Sequence, residues 1–567
     1  MAKKKTIPNK LPVEVYNALE NVVGSQWVSQ DRADLECYSK LSLDAEGIIK
    51  KHMKDPSSIP ACVVLPGSTE DVQAILRVAN KYRVPFVPFT NGQAMSAPTT
   101  NEPTICVHLS RMNRVLKIDE DAMVATLEPY ADYGQLLAEA AKVALWNGGT
   151  PLATTLSKLS SQSAFAGIWQ TSLKYGLLGR NVVSYTFVLP TGEIFKAGSK
   201  TVAGVDDFWD CSPGPDLMGL TRASGGTMGI ITEITIKLHP WVGGPDIPEP
   251  PAGRPSIHNY YEAKFDTAPP PDNHKLFWIE FPDYDAEIDA YREIAHSGIG
   301  IGLNASGVYS AYYCSQTQEM TEARYQAGFF PPWNLYVILA GIVDDDQLVY
   351  EEKVLREIAR EFDGKFLSKD YKPDVLEALA PWNLDWIRNV CGYRMNRRTY
   401  SGAVLPYGPP EVAKYHSRIW KEALDTCGES HMTDRGGVDN TTFLYAMDAA
   451  GRYTLSETDG YPDPTDPESV HTFIKSSMYA TIKNAAERDV APFAFGGPAE
   501  PLTTFFPEQG PNAYLLFRKF RKVFDPNGVS SPGRQVFTEK EYQSFPQEKF
   551  NQINALRQQM GMKSLKR

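Results

Sequence analysis

Residues 62–88 read CVVLPGSTEDVQAILRVANKYRVPFVP. Cys62–Leu65 is a short apolar strand, and Pro66-Gly67 turns the chain. Ser68 is placed to cap a helix, with Asp71 three residues on in a capping-box-like arrangement. Val72, Ile75, Leu76 and Ala79 then fall at i, i+3, i+4 and i+7, which is one helix face. Val84-Pro85-Phe86-Val87-Pro88 returns as an extended segment. A strand, a helix and a second strand within 27 residues point to a mixed α/β layer.

Further elements follow outward from this unit. Ile105–Leu109 and Met123–Leu127 read as strands. Asp132 caps a helix whose buried face is Leu136, Leu137, Ala140 and Ala141. Tyr185–Leu189 and Glu193–Lys196 flank Pro190-Thr191-Gly192 as a hairpin. Gly229–Leu238 alternates as a long strand. The spacing predicts an α+β class with glycine-rich connections.

Nine prolines, at 240, 245, 248, 250, 251, 255, 269, 270 and 271, then break the pattern. Such a stretch suits neither central sheet nor helix interior, so it reads as the crossing between domains. Beyond it, Leu276–Phe281 is a strand and Asp283–Ala295 a helix with Ile288, Tyr291, Ile294 and Ala295 inward. Leu335–Ala340 and a helix over Asp346–Phe362 repeat that pairing. Two strand–helix pairs in a row imply a sheet covered by helices on one face.

Composition narrows the function. The chain has 567 residues with 57 Lys+Arg against 68 Asp+Glu, a net charge of −11. That balance argues against nucleic acid or an anionic membrane as the main partner. No run of 18 apolar residues exists, so no membrane-spanning segment is expected. The start, MAKKKTIPNK, is basic with no apolar segment behind it and is not a secretory signal. Seven cysteines (37, 62, 106, 211, 314, 391, 427) are scattered without CxxC or metal spacing. A reduced, cytoplasmic protein without a metal is the expectation.

Three segments carry chemistry. Pro88-Phe89-Thr90-Asn91-Gly92-Gln93-Ala94-Met95-Ser96-Ala97-Pro98 is a small, polar loop whose backbone N–H groups are suited to converge on a diphosphate; taken alone, it equally reads as a surface loop. Gly148-Gly149-Thr150-Pro151 through Ser160–Gly167 is long and hydroxyl-rich and leads to Tyr175-Gly176. Gly214–Leu217 and Ser224-Gly225-Gly226-Thr227-Met228-Gly229-Ile230-Ile231-Thr232 let backbone approach a ligand, or else form bulges and turns.

The order and spacing of these segments resemble the FAD-binding domain of the vanillyl-alcohol oxidase / p-cresol methylhydroxylase family. Ser96–Pro98, Met112–Val115 and Glu128-Pro129 resemble its pyrophosphate loop and following strands. Lys522–Val529 and Ser531-Pro532-Gly533-Arg534 resemble its closing motif. The resemblance is good over about 60–240 and 515–535 and thin over 245–510. It implies a two-part FAD-binding domain, 1–244 with a returning segment at 506–567, around a substrate cap at 245–505 built on an antiparallel sheet covered by helices. It implies cofactor contacts from Pro88, Thr90, Asn91, Gly92, Gln93, Ala94, Thr155, Ser160, Ser163, Ala164, Gly167, Tyr175, Gly229, Ile230 and Arg534. There is no GxGxxG opening a helix in the right context, so NAD is not favoured.

Departures from the family pattern shape the rest. Asn91–Ser96 has no His, and Val404 stands near the cap position of a tethering His, so the FAD is expected to be dissociable; Tyr400 is the one tethering candidate. The loop Tyr that holds a phenolate is Gln93 here, and Ala491–Gly497 lacks the family's Tyr-Arg pair. Thr154-Thr155 stands where an Asp beside flavin N5 is expected. Arg394, Arg397 and Arg398, beside Tyr393 and Tyr400, are candidate anchors for a carboxylate or phenolate, which arginine grips bidentately; the alternative is a solvated run. His431, near Asp434, Arg435, Asp439 and Asn440, is a candidate base, though a lone His is more often structural.

The leading expectation is an FAD-dependent oxidoreductase passing hydride to flavin N5 from a small donor, an aromatic or benzylic alcohol or alkylphenol-like compound. The runner-up is a 2-hydroxy-acid dehydrogenase, because Ser224–Thr232 also resembles the glycolate and D-lactate dehydrogenase branch. A third alternative is a catalytically degenerate flavoprotein subunit of a larger complex. O₂ or a redox protein is the expected acceptor, and a homodimer is allowed.

Overall fold

The computed structural model describes residues 10–39, 59–90, 102–149, 151, 156–164, 167, 169–211, 214, 216–222, 224–241, 243, 271–307, 310, 318–379, 403–404, 407–430, 443–446, 448–460, 462, 466–486, 511–534, 537–559 and 562–566. The opening unit forms as its sequence requires. Strand Cys62–Val64 leads to helix Thr69–Tyr82, where the Ser68 side chain accepts from the Asp71 N–H at 3.1 Å. The Asp71 carboxylate reaches past the cap to the Gly67 N–H, so the reciprocal half of a capping box is shifted by one residue. Val72, Ile75, Leu76 and Ala79 are fully buried.

Cys62–Val64 and Phe86–Phe89 each pair in parallel with Ile105–His108, and Val28–Ser29 closes the four-stranded sheet antiparallel. Helices Val13–Val23 and Thr69–Tyr82 pack over it. A five-stranded antiparallel sheet follows in the order Val115–Asp119, Val124–Leu127, Ile230–Lys237, Val182–Val188, Ile194–Gly198. Helix Tyr133–Ala141 covers it, with Asp132 and Gln135 forming a full capping box.

Two expected details differ. Met123 stands outside its strand, at φ +50° and exposed, because it turns the chain out of the preceding loop. On the Asp132-capped helix Tyr133 fills the buried face, while Ala141 is only half-buried.

The proline-rich stretch begins with His239–Pro240 paired to Leu145–Trp146, and residues 244–270 lie outside the described ones. Beyond it the cap sheet runs Lys365–Phe366, His274–Glu280, Asn334–Ala340, Gly302–Ala305, Phe443–Ala446, Thr454–Asp459, Ala403–Val404, with Tyr407–Gly408 also on Thr454–Asp459. Every pairing is antiparallel. One face, with Leu303, Ala305, Leu335, Val337 and Leu339, packs under helices Tyr284–Ser297, Asp345–Glu361 and Val412–Cys427. On the same face His416 is wholly buried, its two ring nitrogens 2.9 Å from Ser456 Oγ and 3.0 Å from Thr458 Oγ1. The opposite face, with Trp278, Tyr336 and Ile338, packs on Leu137, Trp146 and Trp241, so the cap sheet lies between its helices and the first part of the chain. No helix among the described residues is long and apolar enough to cross a membrane.

Candidate cofactor and substrate site

The strand Phe86–Phe89 carries Pro88 and delivers Thr90 to the start of the small-residue loop. Its neighbour is the far end of the chain. Phe86 N–H donates to Val529 O at 2.8 Å, and Ser531 N–H donates to Phe86 O at 2.9 Å. That strap is organised by Asp525, whose carboxylate accepts from Val529 N at 2.9 Å and Ser530 N at 3.0 Å. Buried Arg521 lies 3.5 Å from the same carboxylate. Burial pushes the Asp525 carboxyl up, and Arg521 and the two N–H donors oppose that shift. Arg534 is buried beside the strap, with its carbonyl facing Arg521. The C-terminal segment thereby flanks the strand Phe86–Phe89.

The hydroxyl-rich segment folds against the second sheet. Helix Leu159–Ala164 contains Ser160, Ser163 and Ala164; Ser160 Oγ is spent on Pro129 O at 2.8 Å. Gly167 O accepts from Leu178 N–H, and Thr171 Oγ1 donates to Gly148 O at 2.6 Å. Tyr175 packs against Trp146 and His239, its ring centre 4.4 Å from the imidazole. Burial pushes the Tyr175 phenol up to about 12, so it is a neutral hydroxyl near pH 7.

Two expected contacts have an internal explanation. Ile230 is buried in the core beside Val188 and Val529. At Gly229, φ is +120° and an added Cβ would lie 2.1 Å from Val188 O, so the neighbouring strand already demands glycine.

The segment meets the cap at Gln170. Asn304 Nδ2 donates to Gln170 O at 3.3 Å, and a Cβ on Gly302 would lie 2.6 Å from that same oxygen. Lys174 N–H donates to Ile301 O at 3.3 Å. Around this seam, Asn147 Oδ1, Ser157 Oγ, Gln170 Oε1 and Asn304 Oδ1 are buried with no hydrogen-bond partner among the described residues. Ser531 Oγ at the strap likewise finds no partner among the described residues. Unfilled donors and acceptors of this mixed kind fit a large ligand with phosphate, hydroxyl and imide groups, as FAD has.

Sequence reading missed Tyr38, His108, Asn147, Gln170 and Asn304. A polar residue inside an apolar run, as in Leu145-Trp146-Asn147 and Gly302-Leu303-Asn304-Ala305, was the available signal. Asn91, Gly92, Gln93, Ala94, Thr155, Arg394, Arg397, Arg398, Tyr400 and His431 lie outside the described residues. No group of three or more metal-ligating side chains occurs among the described ones.

Residues 60–198 match the model of an FAD binding domain. The chain is 28% identical over 235 residues to D-lactate dehydrogenase [cytochrome] 1, mitochondrial, of Saccharomyces cerevisiae, covering 40% of this chain and 37% of the relative. It is 29% identical over 184 residues to glycolate oxidase subunit GlcD of Bacillus subtilis, covering 32% and 38%. These matches span less than two-fifths of the relatives' length. Among solved structures it resembles p-cresol methylhydroxylase with substrate bound (TM-score 0.70, 18% identity, 93% of this chain and 97% of that one). It also resembles the isoeugenol complex of 4-ethylphenol oxidase from Gulosibacter chungangensis (TM-score 0.72, 18% identity, 94% and 100%). Residues 60–198 carry an FAD-binding domain, and the chain shares the fold of p-cresol methylhydroxylase.

Proposed function

We propose that this protein is an FAD-dependent oxidoreductase that takes hydride from a small organic donor, an aromatic or benzylic alcohol or an alkylphenol-like compound. The observation that carries the reading is the meeting of the FAD-binding segment with the cap sheet at Gln170, Gly302 and Asn304. Bound FAD supplies the two-electron acceptor for such a reaction. The chain's own part is to bury the donor between the two layers, exclude water and orient it. Tyr175 contributes a neutral hydroxyl rather than a base, because burial holds its proton in place.

In this proposal Arg394, Arg397 and Arg398 hold an anionic group, and His431 accepts the hydroxyl proton. The 1–244, 245–505 and 506–567 division and a cytoplasmic location belong to the same proposal. A second reading, a 2-hydroxy-acid dehydrogenase, is favoured by the names of the two curated relatives, one of which is mitochondrial.

The test is anaerobic flavin bleaching by the isolated chain against a panel of alcohols, phenols and 2-hydroxy acids. Reduction by benzylic alcohols or alkylphenols supports the first reading, and reduction by D-lactate or glycolate alone transfers support to the second. A bound flavin that no donor reduces would leave a subunit role in a larger complex.

A further inference from the structure

The seam between the FAD-binding segment and the cap offers acceptors in one specific way. Asn147 is wholly buried, and its Nδ2 donates to Gly149 O. Asn304 is buried, and its Nδ2 donates to Gln170 O. In each case a backbone carbonyl fixes which end of the amide is nitrogen, because the flipped amide would set oxygen against oxygen. What each side chain has left is its Oδ1, and both oxygens are buried with no partner among the described residues. The two sites are linked through one short stretch: Thr171 Oγ1 holds Gly148 O on the Asn147 side, and Gln170 O holds Asn304 on the cap side.

A buried carbonyl oxygen with no donor is costly, and a ligand that brings a donor removes the cost. A carboxylate or other bare anion brings only further acceptors and is repelled. We propose that Asn147 and Asn304 form an acceptor pair that selects a hydrogen-bond-donating X–H group of a bound molecule, a hydroxyl of the substrate or the imide N–H of the flavin ring. This rests on the reading of the chain as an FAD-dependent oxidoreductase. It deepens that reading by making the seam a site for neutral, donor-bearing groups, with any anionic group held elsewhere.

The experiment compares probes that differ only in the donor. FAD and FAD methylated at ring N3 are titrated into apoprotein. Benzyl alcohol and benzyl methyl ether are titrated into holoprotein, followed by the flavin absorbance. The unaltered protein is expected to prefer the donor-bearing member of at least one pair by roughly 10-fold. In folded Asn147→Leu or Asn304→Leu, that preference should fall toward unity. Preference within the flavin pair assigns the acceptors to the imide, and preference within the alcohol pair assigns them to substrate. Equal binding within both pairs by the unaltered protein overturns the proposal whatever the variants do, and means that water serves the two oxygens. A chain that binds neither flavin would sink the functional reading and this inference together. Flavin reduction by donors without either preference would sink this inference alone.

Discussion

Tyr38 Oη lies 2.7 Å from His108 Nδ1, although the two residues are 70 positions apart. His108 sits at the end of strand Ile105–His108, ringed by Tyr38, Phe89 and Tyr130. Burial pulls its imidazole down to about 4, so it is neutral at pH 7. The Tyr38 phenol, pushed well up by burial, keeps its proton and donates it. His108 Nδ1 is therefore the acceptor, and Nε2 carries the ring proton. His239 and His274 are likewise pulled down to about 4, and His416 to about 3.

The pH dependence follows from these four histidines. Each has a folded-state pKa below the usual value near 6.5, so below that value the unfolded chain binds more protons. The stability that these four groups contribute is full above about pH 6.5 and is lost as pH falls toward 4, while the raised carboxyls of Glu287 and Asp525 oppose it in part. Thermal unfolding should show a lower midpoint at pH 5 than at pH 7, and an equal or higher midpoint at pH 5 would contradict it. Tyr38→Phe leaves His108 Nδ1 unpaired and should cost about 1–3 kcal/mol at pH 7.

The strap gives a second prediction. Asp525→Ala removes the acceptor for two N–H groups and one of the two carboxylates beside buried Arg521, the other being Glu541. The expected cost is about 2–4 kcal/mol, from the two N–H groups left without an acceptor, measured by denaturant unfolding. The strap pairs with Phe86, and Phe86 leads to Thr90, so FAD affinity should fall as well. Unchanged FAD affinity in folded Asp525→Ala would separate the strap from the cofactor loop.

Gly229→Ala should destabilise the apoprotein and holoprotein alike, by on the order of 3 kcal/mol, because the obstacle is Val188 O. A variant whose apoprotein melts normally and which only loses FAD would show that the cofactor, not the strand, demands the glycine.

Acid precipitation should release yellow colour into the supernatant, as dissociable FAD requires. Colour that stays with the pellet points to a covalent link, with Tyr400 the first position to map by peptide mass.

The arginines and His431 separate kinetically. Arg394→Met, Arg397→Met or Arg398→Met should weaken binding of anionic donors more than it slows flavin reduction by neutral ones. His431→Ala should slow flavin reduction by about 10²–10⁴-fold with binding nearly intact. Parent-like reduction in all four variants would remove these residues from the site.

Local rules made much of the fold legible. Helix Thr69–Tyr82, its Ser68 cap and its four buried residues follow from spacing within one short window. So do the Asp132 cap, the hairpin around Pro190-Thr191-Gly192 and the strand–helix pairs of the cap, because those hydrogen bonds and apolar stripes join residues close in sequence. The glycine- and hydroxyl-rich order of segments was enough to suggest FAD, which the match over 60–198 bears out.

Tertiary structure decided what lies between those windows. Nothing near Phe86 announces that Val529 and Ser531 will bond to it, because that pairing closes a loop of more than 440 residues and is set by packing. Nothing near His108 announces Tyr38, and that contact decides which ring nitrogen holds the proton. Asn147 and Asn304 are ordinary polar residues in their own segments. A local bond to Gly149 O spends the Asn147 nitrogen, and docking of the cap on Gln170 spends that of Asn304; the packing around both leaves their oxygens without a partner among the described residues, because a side chain's unused hydrogen-bonding capacity depends on every element packed around it.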